Sequence, residues 1–98
     1  MPSDLNSKLD TVSDEDSFIA FLQALAEDRE NEVEKEKRAP SSPYGPGANG
    51  WENGKIEAFL GAAAGWATGS KNGLPLYQKP ENPWKRCADI IYMGKIYE

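Results

Sequence analysis

The sequence predicts a mostly α domain of three helices with a Pro/Gly-rich loop between helices 1 and 2. The chain has 98 residues, a length that suits one domain with one core. Apolar residues recur at helical spacing in three stretches, and each stretch begins near a residue type that caps helices. We therefore expect a single helical domain over residues 13–98, preceded by a flexible lead-in over residues 1–12.

The first helix is predicted over residues 14–36. Ser13 is placed to cap it, with Asp16 at the acidic position of a capping box. One apolar stripe follows, formed by Phe18, Phe21, Leu22 and Leu25. Beyond it the segment ENEVEKEKR is nearly all charged, which leaves open whether residues 30–38 are ordered.

A loop is predicted over residues 39–50, APSSPYGPGANG. Pro40, Pro43 and Pro46 alternate there with Ser and Gly residues. Proline lacks the amide that a helix interior or a central strand requires, so neither element fits.

The second helix is predicted over residues 54–68, with Asn53 as its cap and Gly69 as a left-handed closing residue. Its apolar side holds Ile56, Phe59, Leu60, Ala63, Trp66 and Ala67. Gly61, Gly65 and Gly69 share the other side. Each interior glycine costs about 1 kcal/mol relative to alanine, so this helix depends on tertiary contacts.

The third helix is predicted over residues 83–93. Asn82 is a suitable cap, and Pro83 fits the first helical position. The spacing puts Trp84, Cys87, Ala88 and Ile91 on a packed face and Lys85, Arg86 and Asp89 on the outer face, with Gly94 ending the helix.

Two short extended segments are expected near residues 74–78 and 95–97. An alternative makes residues 91–97 a hairpin, since IIYMGKIY favours strands. Met-Gly is a poor hairpin turn, which favours the helix. The predicted core comprises Phe18, Phe21, Leu22, Leu25, Ile56, Phe59, Leu60, Ala63, Trp66, Trp84, Cys87 and Ile91.

The charge is unevenly distributed. Residues 1–39 contain eleven acidic and five basic residues, a net charge of −6, whereas residues 40–98 contain five and six, a net charge of +1. An acidic first third repels phosphate, and no basic stripe is visible, so we expect no nucleic-acid binding.

No apolar run approaches the roughly 18 residues needed to cross a bilayer. One cysteine and an opening unlike a signal peptide predict a cytoplasmic protein.

The residue types exclude several chemistries. The chain has no histidine, which removes Ser-His-Asp and Cys-His catalysis and histidine-ligated zinc. Neither a phosphate-binding Gly-rich motif nor calcium-loop spacing is present. Glu52 and Glu57 fit ordinary surface acids at a helix start, and Cys87 fits a buried structural cysteine. We expect no enzyme activity, cofactor or metal.

Two segments carry a resemblance, namely WENGKIEAFLGAAAGWA and NPWKRCADIIYMGKIYE. They resemble a small bacterial family known only as a domain of unknown function, whose members share a Trp-Glu-Asn opening, an Ile-Glu-x-Phe-Leu helix and a closing Lys-Ile-Tyr-Glu segment. The resemblance covers roughly residues 13–98 and implies no activity. Its family-like positions here are Trp51, Glu52, Asn53, Trp66, Trp84, Asp89, Tyr97 and Glu98.

The function predicted is that of a non-catalytic, immunity-like intracellular module that binds a basic protein partner through an acidic face. The alternative is a structural or regulatory subunit that forms homo-oligomers through the glycine-lined face of the second helix. Tyrosine anchors many interfaces, which adds exposed tyrosines to the candidates. The candidate partner-binding residues are Glu27, Asp28, Glu30, Glu34, Tyr44, Gly61, Gly65, Lys85, Arg86, Tyr92 and Tyr97.

Overall fold

The computed structural model describes residues 5–43 and 45–97. These residues form helices α1 (Leu5–Asp10), α2 (Glu15–Arg38), α3 (Ile56–Gly69) and α4 (Pro83–Ile96). No residue of the described ranges lies in a strand of a sheet. The prediction of a small, mostly helical domain is confirmed, with one helix more than expected.

The additional helix, α1, lies within the predicted lead-in. Leu9 and Val12 are buried, and Leu5 packs against the same core. The spacing of these three residues puts them on one side of a helical turn, where α2 and α4 cover them. The lead-in expected over residues 1–12 therefore includes a helix whose apolar side chains pack on the core.

Helix α2 begins one residue later than predicted and extends further. Asp14, not Ser13, is the cap: its Oδ1 accepts a hydrogen bond from the Ser17 amide at 2.9 Å, and Ser17 Oγ accepts one from the Asp14 amide at 3.0 Å. The Ser17 amide and the Ser17 hydroxyl both donate to the Asp14 carboxylate, and these two hydrogen bonds lower the pKa of Asp14. The charged run up to Arg38 is helical.

Helix α4 begins as predicted and ends later. Asn82 Oδ1 accepts hydrogen bonds from the amides of Trp84 and Lys85, at 2.9 and 3.3 Å. Gly94 does not end the helix, which continues to Ile96, so neither the hairpin nor an extended segment over 95–96 forms. Gly94 instead admits Phe59 of α3: a Cβ added at Gly94 would lie 2.8 Å from Phe59 Cε1.

The expected roles of two residues near α3 were wrong. Lys55 occupies the cap position, whereas the Asn53 side chain donates to the carbonyls of Gly94 and Tyr97 at 3.1 and 2.8 Å. Gly69 lies within the helix and is not left-handed, since among described residues only Gly50 and Gly73 have positive φ.

Helix α4 is the centre of the fold and packs on α1, α2 and α3. The buried core cluster comprises Leu9, Val12, Phe21, Leu25, Trp51 and Ala88. Phe59, Ile91 and Tyr92 are partly buried against it. Within the described residues α2 and α3 do not pack on each other.

Part of the predicted core is therefore exposed, namely Leu22, Ile56, Leu60, Trp84 and Cys87. Leu22, Ile56 and Leu60 are exposed because α3 packs on α4 and away from α2. The prediction of a buried Cys87 was wrong because α4 directs Ala88, Asp89 and Lys95 inwards.

Candidate protein-binding groove

A groove with apolar walls lies between α2 and α3 and has a volume of about 460 Å³. Ile56 is 78% exposed, Leu60 58% and Leu22 38%. A groove lined by exposed apolar side chains is a candidate binding site. The apolar lining comprises Leu22, Leu25 and Ala26 of α2, Trp51 of the loop, Ile56, Phe59 and Leu60 of α3, and Ile91 of α4.

The groove follows from the width of two apolar stripes. On α2, Leu25 faces the core while Leu22 and Ala26 lie beside it on the same helix. On α3, Ile56 and Leu60 are spaced i,i+4 beside the half-buried Phe59. Each stripe is wider than the surface that α4 covers, so the surplus apolar side chains face each other across open space.

The polar part of the groove is fixed by Arg29. Its Nη1 lies 2.6 Å from Glu32 Oε2, and its guanidinium carbon lies 5.7 Å from the centroid of the Trp51 ring. Arg29 Nη2 also donates to the Gly54 carbonyl at 3.4 Å. These contacts tie α2 to the segment that leads into α3 and set the spacing of the two walls.

Beneath the groove, a buried ion pair joins α2 to α4. Lys95 Nζ donates to Asp28 Oδ2 at 2.7 Å, and Trp51 Nε1 donates to the same oxygen at 2.9 Å. The ammonium also lies 5.5 Å from the centroid of the Trp51 ring. Asp28 is thus engaged within the fold and is not part of a free acidic surface.

The acidic run of α2 holds the Pro/Gly-rich loop. Glu32 is buried, and its Oε1 accepts hydrogen bonds from the amides of Asn49 and Trp51 at 2.8 and 3.2 Å. One turn later, Glu36 accepts from the amides of Ser41 and Ala48 at 2.7 and 2.9 Å. Hydrogen bonds from Ser41 are the main cause of the lowered pKa of Glu36. One face of the helix thus binds loop amides.

A second polar network joins α3 to α4. Arg86 donates from Nη2 to the Ala67 carbonyl and from Nη1 to Ser70 Oγ, both at 3.0 Å, and so caps the end of α3. Asp89 is buried and accepts from Tyr77 Oη at 2.7 Å and from Lys85 Nζ at 2.6 Å. Burial is the main cause of the raised pKa of Tyr77. The prediction that Lys85, Arg86 and Asp89 lie on an outer face was therefore wrong, since all three side chains make contacts within the fold.

The other candidate residues are dispersed. Glu27, Glu30 and Glu34 are exposed on α2. Tyr92 is half-buried, and burial raises its pKa. Tyr97 is exposed. Tyr44 lies outside the described residues.

The glycine-lined face of α3 is exposed at both candidate positions. A Cβ added at Gly61 would meet nothing within 4 Å, and one at Gly65 would lie 3.6 Å from Tyr97 Cε2. These two glycines are on the side of α3 that is turned away from Ile56 and Leu60.

The roles of Glu32, Glu36 and Lys95 were not predicted. Six apolar groove residues were predicted to lie in the core, namely Leu22, Leu25, Ile56, Phe59, Leu60 and Ile91. The acids at 28, 32 and 36 are spaced i,i+4, which puts them on one side of the helix. That spacing could have indicated a shared structural role for the three acids. Nothing in the sequence indicated that the amides of the loop would bind two of these acids.

The described residues were compared with the geometry of two other features, a membrane-spanning helix and a metal site. None of the helices in residues 5–43 and 45–97 is long and apolar enough to cross a bilayer. In the same residues no group of three or more Cys, Asp or Glu side chains is arranged to hold a metal ion.

The sequence matches the model of a family of unknown function, DUF7660, over residues 14–98. The chain belongs to this family, which confirms the predicted membership of a family of unknown function. The matched range includes both sides of the groove and both polar networks. No significant match was found among curated proteins or among solved structures.

Proposed function

We propose that this protein is a non-catalytic protein-binding module whose binding surface is the groove between α2 and α3. The observation that carries the proposal is the exposure of Ile56, Leu60 and Leu22 around a preformed apolar groove. Removing an aliphatic side chain from water stabilises a complex by about 1.5–3 kcal/mol when burial is complete. Ile56 and Leu60 retain more than half of that exposure in the free protein.

The partner expected is a protein segment with apolar anchors and basic flanking residues. Glu30 lies one helical turn from Ala26 of the groove, and Glu27 and Glu34 extend the exposed acidic surface of α2. Exposed acids favour a basic partner mainly through the rate of association and the choice of partner. Asp28 is left out of this surface because it is paired with Lys95.

A module of this kind acts by covering a surface of its partner, as immunity proteins do when they neutralise an enzyme. We propose that the protein acts in a reducing cytoplasm, where the exposed Cys87 stays a thiol.

The experiment is selection of peptides from a random library on the purified protein. We expect enrichment of peptides with aliphatic or aromatic anchors and Lys or Arg flanks. Leu60→Glu should abolish their binding, because it places a charge in the apolar wall. Gly61→Glu is the matched control, since it adds the same charge at the next residue on an exposed surface outside the groove, and it should leave binding intact. Peptides that bind the Leu60→Glu protein as well as the wild type would contradict the proposal.

Salt provides a second readout for the acidic surface. Binding of the selected peptides should weaken as salt is added, since exposed charges are screened. Glu30→Gln should reduce that dependence on salt. A peptide affinity that is unchanged by salt would remove the acidic surface from the proposal and leave the apolar groove.

The alternative function is a self-associating subunit that uses the glycine-lined face of α3. Gly61 supports it, since it is exposed and has open space around it, so that another backbone has room to approach. Gly61→Glu should then convert an oligomer into a monomer in sedimentation experiments. A monomeric wild type, or an oligomer unchanged by the substitution, would contradict the alternative.

A further inference from the structure

The groove between α2 and α3 carries charge at one end. Of the described residues that line it, two are charged, Arg29 and Lys55, and both are basic. Arg29 Nη2 lies 3.4 Å from the carbonyl oxygen of Gly54, the residue before Lys55. Both cations therefore lie where the segment leading into α3 meets α2. Arg29 and Lys55 together form the basic end of the groove.

The exposed apolar side chains lie further along both helices. Leu60 follows Lys55 by five residues, a rise of about 7 Å, and Leu22 precedes Arg29 by seven residues, a rise of about 10 Å. The groove thus has a basic end and an apolar remainder, and one occupant of moderate length can reach both.

Arg29 presents positive charge to the groove although it is paired with Glu32. The Glu32 side chain is 2% exposed and does not line the groove, whereas the Arg29 side chain is 37% exposed and does. The buried carboxylate also accepts hydrogen bonds from the amides of Asn49 and Trp51. The member of the pair that a ligand meets is therefore the cation. A guanidinium has five N–H donors, so it can bind a second carboxylate while it keeps the first.

The ammonium of Lys55 is available to a ligand. The side chain is exposed, and it makes no ion pair or hydrogen bond with the rest of residues 5–43 and 45–97. Lys55 occupies the cap position of α3, and its side chain does not cap the helix. An ammonium has three donors and no acceptor. The basic end therefore offers positively charged donors, for which a carboxylate is the complementary group.

We infer that the partner segment held in the groove carries an acidic side chain beside its apolar anchors, and that this carboxylate binds Arg29 and Lys55. The inference rests on the proposed function, because it uses the same groove and names the chemistry of its occupant. The acids proposed to attract basic flanking residues, Glu27, Glu30 and Glu34, do not line the groove. The basic flanks therefore lie outside the groove, and the acid lies inside it.

The dimensions of the groove limit where the acid stands in the segment. The rises of about 7 and 10 Å correspond to two or three residues of an extended chain at about 3.3 Å per residue, or to one or two helical turns. In an extended segment we expect the acid within two or three residues of an apolar anchor. In a helical segment we expect it about four to seven residues away, on the same side of the helix.

Peptides selected on the wild-type protein test the inference. The enriched peptides should contain Asp or Glu at one of these spacings, and replacing that acid by its amide should weaken binding about fivefold. Lys55→Glu should weaken binding of the unchanged peptide about tenfold or more, because like charges then oppose each other. Lys79→Glu is the matched control, since Lys79 is exposed and lies outside the groove.

The control separates a local contact from general attraction. Both substitutions make the protein more acidic by the same amount, which favours a peptide with basic flanks. A loss of affinity with Lys55→Glu and not with Lys79→Glu therefore identifies a carboxylate at the basic end. A peptide whose acid is replaced by Lys should lose affinity for the wild type and regain part of it with Lys55→Glu.

Lys55 is the residue to vary, because Arg29 also holds Glu32 and Gly54. Lys55 is exposed, and an acid at the start of α3 suits the helix dipole. The circular dichroism and thermal unfolding of Lys55→Glu should therefore match those of the wild type, so that a loss of binding reports the contact and not the fold.

The outcomes separate this inference from the proposed function. If Leu60→Glu abolishes binding but Lys55→Glu behaves like Lys79→Glu, the inference fails and the groove function stands. If the acidic side chain can be replaced without loss while amidation of the C-terminus of the peptide abolishes binding, the basic end holds a terminal carboxylate, and the inference also fails. If no peptide is enriched, or if Leu60→Glu leaves binding unchanged, both fail.

Discussion

Lys95 Nζ lies 2.7 Å from Asp28 Oδ2, across 67 residues of sequence, and both side chains are almost completely buried. This pair joins α2 to the last turn of α4. Removal of one member of a buried pair leaves an uncompensated charge, which costs about 3–5 kcal/mol. The pair therefore fixes the position of α4 relative to α2.

We expect Lys95→Met to reduce the free energy of unfolding by about 3 kcal/mol, as measured by urea denaturation. Adding Asp28→Asn should recover part of that loss, because the buried carboxylate is then neutral and its side chain can still bond Trp51. Equal stability of Lys95→Met and the wild type would show that the ion pair does not hold the two helices.

Glu32→Gln should destabilise the protein by about 2 kcal/mol, since buried amides would lose a charged acceptor. The control is Glu34→Gln, the same change two residues later, where the side chain is 61% exposed and about 0.5 kcal/mol or less is expected. Chemical denaturation of both variants makes the comparison. Similar effects at the two positions would mean that Glu32 does not hold the loop.

Two glycine-to-alanine substitutions should act in opposite directions. Gly94→Ala places a Cβ 2.8 Å from the Phe59 ring, and the resulting shift in packing should cost about 1–3 kcal/mol. Gly61→Ala meets open space and should stabilise the protein by up to about 1 kcal/mol through helix propensity. Thermal unfolding gives the sign of each change. Stabilisation by Gly94→Ala would contradict the close approach of α3 and α4.

Glu36 should contribute to the loss of stability in acid. Its pKa is lowered from 4.5 by hydrogen bonds from Ser41, so the ionised form is favoured in the folded protein. The stabilisation is complete above pH 4.5 and disappears as the pH falls through the lower folded value. A carboxyl NMR titration should place the Glu36 midpoint below 4.5. Ser41→Ala should move it back upwards; an unchanged midpoint would contradict the assignment.

The helices could be predicted from sequence because their signals are local. The apolar spacing of α2, α3 and α4, the Asn82 cap and the separating loops each depend on residues a few positions apart. The short helix α1 was missed because its three apolar residues lie among polar ones. The candidate site was harder to predict from the sequence, since the burial of Leu60 or Asp89 depends on which helices pack together.

By itself, the sequence determined the helical class, the three long helices and the membership of the family. Only the tertiary structure decided that α3 packs on α4 and leaves a groove beside α2. It also decided that Asp28, Glu32 and Glu36 are engaged within the fold. The physical reason is that helix periodicity fixes which residues share a side, whereas burial of that side depends on partners distant in sequence. Lys95 and Asp28 form their pair only because the fold brings α2 and α4 together.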